Sequence, residues 1–146
     1  MLLSGDIHYA RSRPLEQDQA LDRLVEDSLN TVQTYVFWSL HEPFPGVFCW
    51  GGNSTAPENI CHAAGARANL TRFLDAAASR GLFVILRIGP FICGEWSYGG
   101  IPSWINGLTT ATRAHNSGWE SAMVCSDVFP FVKNFLVMCS CGALIK

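Results

Sequence analysis

Charge is scarce in this chain. Of its 146 residues, 15% carry charged side chains, against about 25% in an average soluble domain. The ten Lys and Arg residues are scattered and the net charge is −2, so the sequence offers no clustered basic footprint for nucleic acid. CxxC spacing is missing too. The six cysteines fall at 49, 61, 93, 125, 139 and 141, which speaks against a zinc ribbon or a thioredoxin motif. Cys139 and Cys141 flank one serine, a weak metal signal set against small buried hydrophobes or unrelated disulfides. No run reaches the ~20 apolar residues of a bilayer span; the longest near the end is "FLVMCSCGALI". The opening "MLLSGDIHYA" has neither a basic n-region nor a long apolar h-region, so no signal peptide is read in it. "SGDIHYARSRP" is not GxGxxG, which disfavours a dinucleotide fold.

What is present is apolar and aromatic. Hydrophobic residues make up 49% and aromatics 12%, with five Trp and nine Phe. That suffices for one buried core and not for two domains. A first strand is expected over Leu2–Tyr9. A helix follows in "QALDRLVEDSLN", with Leu21, Leu24, Val25, Ser28 and Leu29 on one face. "TVQTYVFW", Thr31–Trp38, reads as a strand rich in β-branched and aromatic residues. A long loop then runs to about Arg67 and contains an apparent insertion near 53–66. A second helix, "ANLTRFLDAAASR", places Leu70, Phe73, Leu74 and Ala77 together, and Gly81 fits its stop. "LFVILRIG", Leu82–Gly89, is apolar enough for a strand covered on both faces. From about residue 108 the pattern blurs, and Pro130 interrupts a helix-like start.

The order β-α-β-α-β argues for parallel βαβ units, an α/β class. Each strand ends in polar or special residues: His8 and Tyr9; Trp38, His41 and Glu42; Arg87, Cys93 and Glu95. Ligands gather at such carboxyl ends. Glu42 and Glu95, on adjacent units, suggest the carboxylate pair of a glycoside hydrolase. Tyr35, Trp38, Trp96 and Tyr98 suit sugar faces. The alternative is that both glutamates brace loops. His8 and His41 show no metal-ligand spacing, and Cys93 has no compact Cys/His partner. Sequons stand at Asn53 and Asn69 and support a secretory route only slightly. No metal or cofactor is implied.

"LLSGDIHYARSRP", "TYVFWSLHEPFPGVF" and "GLFVILRIGPFICGEWSYGGIPSW" together resemble family 35 glycoside hydrolases, the β-galactosidases. The resemblance covers about residues 2–50 and 69–105. It implies a retaining hydrolase of terminal β-linked galactose built on a (β/α)8 barrel, of which this chain would supply about the first three βα units. It implies no cofactor, and a partner that is a β-galactoside or galactose-bearing glycan. A secreted, vacuolar or lysosomal location would follow from the family.

The family's acid/base lies in a Q-x-E-N-E-Y-type motif after strand four and its nucleophile after strand seven. Neither motif occurs here, so no catalytic residue is assigned, and the chain is expected to stop before strand four is completed. The family's galactose subsite maps onto Tyr35, Cys93, Gly94 and Glu95, with Gly94 standing where alanine is usual. Glu42 then becomes structural. The insertion near 53–66 and the tail from about 108 depart from the family pattern, and a leader is expected to be missing. The expectation is a partial barrel with an exposed apolar edge on its third strand, unstable or partly folded and inactive alone. The alternatives are a galactose-binding remnant without catalysis and a fragment completed by another chain.

Overall fold

Parallel pairing of three segments organises the molecule. The computed structural model describes residues 1–51, 60–61, 65–107, 136–139 and 144–145. Strand β1 (Ser4–Asp6) lies beside β2 (Thr31–Val36), and β2 beside β3 (Phe83–Ile88). The registers set Gly5 against Val32, Val32 against Val84 and Tyr35 against Arg87. Helix α1 (Pro14–Glu26) connects β1 to β2. The one-turn helix α2 (Trp38–His41) follows β2 directly, and α3 (Leu70–Ser79) leads into β3. Among the described residues no helix is long and apolar enough to cross a membrane.

Strand alternation divides the sheet into two faces. Val32, Val36, Val84, Leu86 and Ile88 pack with Leu21 of α1 and with Phe73, Leu74 and Ala77 of α3 in one core. The opposite face carries Gln33, Tyr35 and Arg87, all half-buried, and Phe83, which is 63% exposed. The expectation that the third strand is covered on both faces therefore fails at Phe83, although Ile85 on the same face is buried.

Local signals explain the helices. Pro14 occupies the first turn of α1, where its missing N–H costs nothing. Glu16 accepts from the Arg13 backbone N–H at 2.8 Å. α1 thus starts before the segment read from sequence, and its buried side differs from the one read there. Gln17 and Leu21 are buried, while Val25 is 45% exposed. Ser28 and Leu29 lie beyond the end of the helix, and Ser28 turns the chain with φ 63°. The α3 stripe is as read: Leu70, Phe73, Leu74 and Ala77 are all buried. Asn69 of the second sequon caps α3, its side-chain oxygen accepting from the Arg72 N–H at 2.9 Å. Gly81 stops the helix with φ 72°. Across the helix pair, Arg72 bonds Asp18, and Arg80 Nε reaches Asp22 at 2.6 Å.

Two features differ from expectation. First, β1 is only three residues long, because Leu2 and Leu3 are exposed at 51% and 43% and His8 has already left the ladder. Second, the edge of β3 is not free. Strand β4 (Leu136–Cys139) pairs with it in parallel, Ile85 opposite Leu136 and Ile88 opposite Cys139. Strand β5 (Leu144–Ile145) returns antiparallel on β4. Backbone pairing of β4 satisfies groups that an edge would leave open. A fourth strand is therefore completed within the chain, and the edges of the five-stranded sheet are β1 and β5.

Most of the insertion read near 53–66, and of the tail read from 108, lies outside the described residues. Cys61 is described and is disulfide-bonded to Cys49.

Candidate functional site

The carboxyl ends of β1, β2 and β3 converge, and each sends a different kind of segment outward. After β1, His8 precedes a tight turn, Tyr9–Arg11. After β2 comes Phe37 and the turn of α2. After β3 the chain passes through a cis Gly89–Pro90 bond into Phe91–Gly100.

In this last loop, Ile92 N–H donates to the Gly99 carbonyl at 2.8 Å, which closes it on itself. Glu95, Tyr98, Gly99 and Gly100 all have positive φ. Gly99 is required: a Cβ there would come within 2.4 Å of the Phe91 ring. A non-glycine residue at positive φ, such as Glu95 at 49°, is held there by its surroundings.

The holding group is Arg11. Its Nη2 donates to the Gly94 carbonyl and, at 2.8 Å, to the Glu95 carbonyl. Its Nη1 lies 2.8 Å from His8 Nδ1. Because a guanidinium only donates, His8 Nδ1 accepts, and a neutral His8 carries its proton on Nε2. The guanidinium also rests over the rings of Phe37 and Trp96, at 5.3 and 5.4 Å. Those two rings stack at 4.2 Å.

Tyr35 stands at the centre. Its ring lies 4.7 Å from that of His8. Its hydroxyl accepts from Arg87 Nη1 at 2.7 Å and donates to the Cys93 carbonyl at 3.4 Å. Gly94 lies against this ring, and a Cβ on it would sit 3.2 Å from two ring carbons. Alanine at 94 would therefore press on Tyr35. Cys93 is exposed and is the free cysteine among the described residues. Glu95 is exposed, and its carboxylate makes no hydrogen bond to a described residue. Its charge nevertheless reaches His8. Burial and the Arg11 charge hold the His8 pKa below the usual histidine value, while Asp6 and Glu95 act in the opposite direction.

The structure thus brings Tyr35, Cys93, Gly94 and Glu95 together in one rim. It sets Glu42 apart. Glu42 is 4% exposed. One oxygen accepts from Trp38 Nε1 and the other from the Gly46 N–H at 2.8 Å, so it braces its own loop. Trp104 Nε1 donates to the Glu42 carbonyl at 3.0 Å, tying the segment after the β3 loop to the loop after β2.

His41 is likewise internal. Tyr9 hydroxyl donates to Nε2, and Nδ1 donates to the Cys49 carbonyl at 2.7 Å. Its ring stacks on Trp50 at 4.4 Å. Full burial lowers its pKa to about 4 and raises that of Tyr9. Among the described residues no group of three His, Cys, Asp or Glu side chains is placed to hold a metal ion.

Sequence reasoning passed over Arg11 and Phe37. The signal for Arg11 was the i, i+3 spacing of His8 and Arg11 across a turn. Phe37 could have been found as the residue that leaves β2 pointing towards the Trp96 loop.

Comparison with known proteins adds lineage to this geometry. The model of glycosyl hydrolases family 35 matches residues 1–145. Beta-galactosidase 13 of Arabidopsis thaliana is 42% identical over 105 residues, 72% of this chain and 11% of that protein. Beta-galactosidase 10 of the same plant is 36% identical over 124 residues, covering 84% and 15%. Beta-galactosidase 7 of Oryza sativa subsp. japonica is 36% identical, covering 84% and 14%. The chain therefore spans a small fraction of the length of these relatives. Among solved structures, the exo-beta-1,4-mannosidase Op5Man5 from Opitutaceae bacterium strain TAV5 superposes with a TM-score of 0.54 at 20% identity, over 94% of this chain and 24% of that one. At that identity the likeness is one of fold, and the fold is part of a (β/α)8 barrel.

Proposed function

Because the chain belongs to glycosyl hydrolases family 35, we propose that it forms the galactose-holding edge of a β-galactosidase barrel, with Tyr35, Cys93, Gly94 and Glu95 contacting a terminal β-linked galactose. The observation that carries this reading is the state of Glu95. An exposed carboxylate at the carboxyl end of a barrel strand, unpaired among the described residues, is free to accept hydrogen bonds from sugar hydroxyls, and a charged acceptor makes these strong. Tyr35 offers a ring edge and a hydroxyl, and the Cys93 and Gly94 backbone borders the same space. The small residue at 94 leaves room between Tyr35 and the sugar.

Hydrolysis with retention needs two carboxyl groups about 5–5.5 Å apart, one as nucleophile and one as acid/base. Glu42 is engaged twice within its own loop and is no candidate. The family's acid/base motif is expected directly after the fourth strand. Residues 140–146, which follow β4, contain no glutamate. In this reading the edge contacts galactose, and the two reacting carboxyl groups are not assigned among the described residues.

The test is calorimetry of galactose with the folded 146-residue chain and with Glu95→Gln. Binding by the native chain, weakened in Glu95→Gln, is the expected result. A folded native chain that takes up no galactose would remove the proposal.

A further inference from the structure

Arg11 makes more contacts with the β3 loop than its own turn requires. It sits on the turn after β1, yet its donors go to the Gly94 and Glu95 carbonyls, which flank the Glu95 Cα, and to His8. It also lies over Phe37 and Trp96, the stacked pair beneath the same loop. Carbonyls that would otherwise face water are fixed in direction, and the residue between Gly94 and Trp96 is left in a left-handed conformation that it would not choose freely. A guanidinium can do all of this at once because it is planar and presents five donors in a rigid fork. A lysine ammonium keeps the charge but cannot span two carbonyls and a histidine nitrogen with the same fixed geometry.

We propose that Arg11 is the positioning residue of the sugar edge: it sets the backbone of Gly94 and Glu95, and so the direction of the Glu95 carboxylate, and it fixes His8 with its proton on Nε2, as a donor beside Tyr35. The role of the aimed carboxylate rests on the galactose reading above; the anchoring itself does not. Arg11 acts through Glu95 and His8 and is not assigned a contact with the sugar.

The experiment compares the 146-residue chain with Arg11→Lys, Glu95→Gln and the double variant. NMR reads the strong intraresidue HN–Hα NOE that a positive φ gives Glu95, and calorimetry reads galactose affinity. Arg11→Lys is expected to weaken that NOE several-fold and to lower affinity at least tenfold. The loss in the double variant is expected to fall short of the sum of the two single losses, since Arg11 acts in part through Glu95. An unchanged NOE in a folded Arg11→Lys protein overturns the proposal. So does a loss of affinity in Arg11→Lys that adds in full to that of Glu95→Gln.

If the native chain binds no galactose, the functional reading falls, and the NOE alone decides the anchoring: its weakening in Arg11→Lys upholds it and its persistence unchanged overturns it. If Arg11→Lys does not fold, ring 15N shifts of the native chain decide. An unprotonated Nδ1 on neutral His8 supports the arrangement, and a proton on that nitrogen overturns it.

Discussion

Two glutamates leave the sheet at its carboxyl end, and they live in opposite environments. Glu42 is 4% exposed, and both its oxygens are taken by Trp38 and Gly46. Glu95 is exposed, and its carboxylate bonds no described residue, although its backbone carbonyl is held by Arg11. At Glu42 the side chain organises the loop. At Glu95 the backbone is held and the carboxylate is left open. Position at the mouth of a barrel does not by itself distinguish the two glutamates; the state of the carboxylate oxygens does.

The largest effect should come from the buried member. Glu42→Ala removes the acceptor of the Trp38 indole N–H and of the Gly46 N–H, and is expected to destabilise by about 4 kcal/mol in urea unfolding, since two hydrogen bonds to a carboxylate are lost, each worth about 1.5–3 kcal/mol. A cost below about 1 kcal/mol would erase the contrast.

Next is pH, through His41 in the same buried region. Its pKa is about 4 in the fold, against 6.5 for an ordinary histidine. Below pH 6.5 the unfolded chain takes up a proton that the folded one refuses until about pH 4, so stability falls as pH drops through that window. The loss approaches about 3 kcal/mol by pH 4. Urea midpoints between pH 7 and 4 should follow this slope. His41→Gln, which cannot titrate, should flatten it.

A smaller effect is expected at the boundary of the rim. Gly94→Ala pushes on Tyr35 from 3.2 Å and should cost about 1 kcal/mol, with a few-fold change in galactose affinity. The smallest effect on stability is expected of Glu95→Gln, within about 0.5 kcal/mol of the native chain, while galactose binding is weakened. A large stability loss in Glu95→Gln would show that this glutamate is a brace like its counterpart.

Much of the fold was legible. β2, β3 and α3 declare themselves because β-branched runs and the Leu70, Phe73, Leu74, Ala77 stripe bury continuous apolar surface. The buried side of α1 was misread because the buried Gln17 is polar: its amide serves the Tyr9 and Ser12 carbonyls, and no hydrophobic periodicity could flag it. β4 escaped because the four residues Leu136–Cys139 carry no alternating pattern of polar and apolar types.

In the site, the residue types and their place at the strand ends could be read. The division between Glu42 and Glu95 could not be read from spacing alone, because it depends on which oxygens find donors. One clue existed: Trp38 and Glu42 are i, i+4 on a single helical turn, a spacing that lets an indole N–H meet a carboxylate.

The contact between Arg11 and Gly94 joins residues 83 positions apart. Such a contact has a kinetic consequence. It cannot form until β1, β2 and β3 have come into register, because only then do the ends of β1 and β3 stand near each other. Long-range contacts of this kind are made late, and interactions absent from the folding transition state govern how fast a protein comes apart rather than how fast it assembles. The rim around Gly94 and Glu95 is therefore expected to become native after the sheet is in register and to open before the helices beneath it come apart.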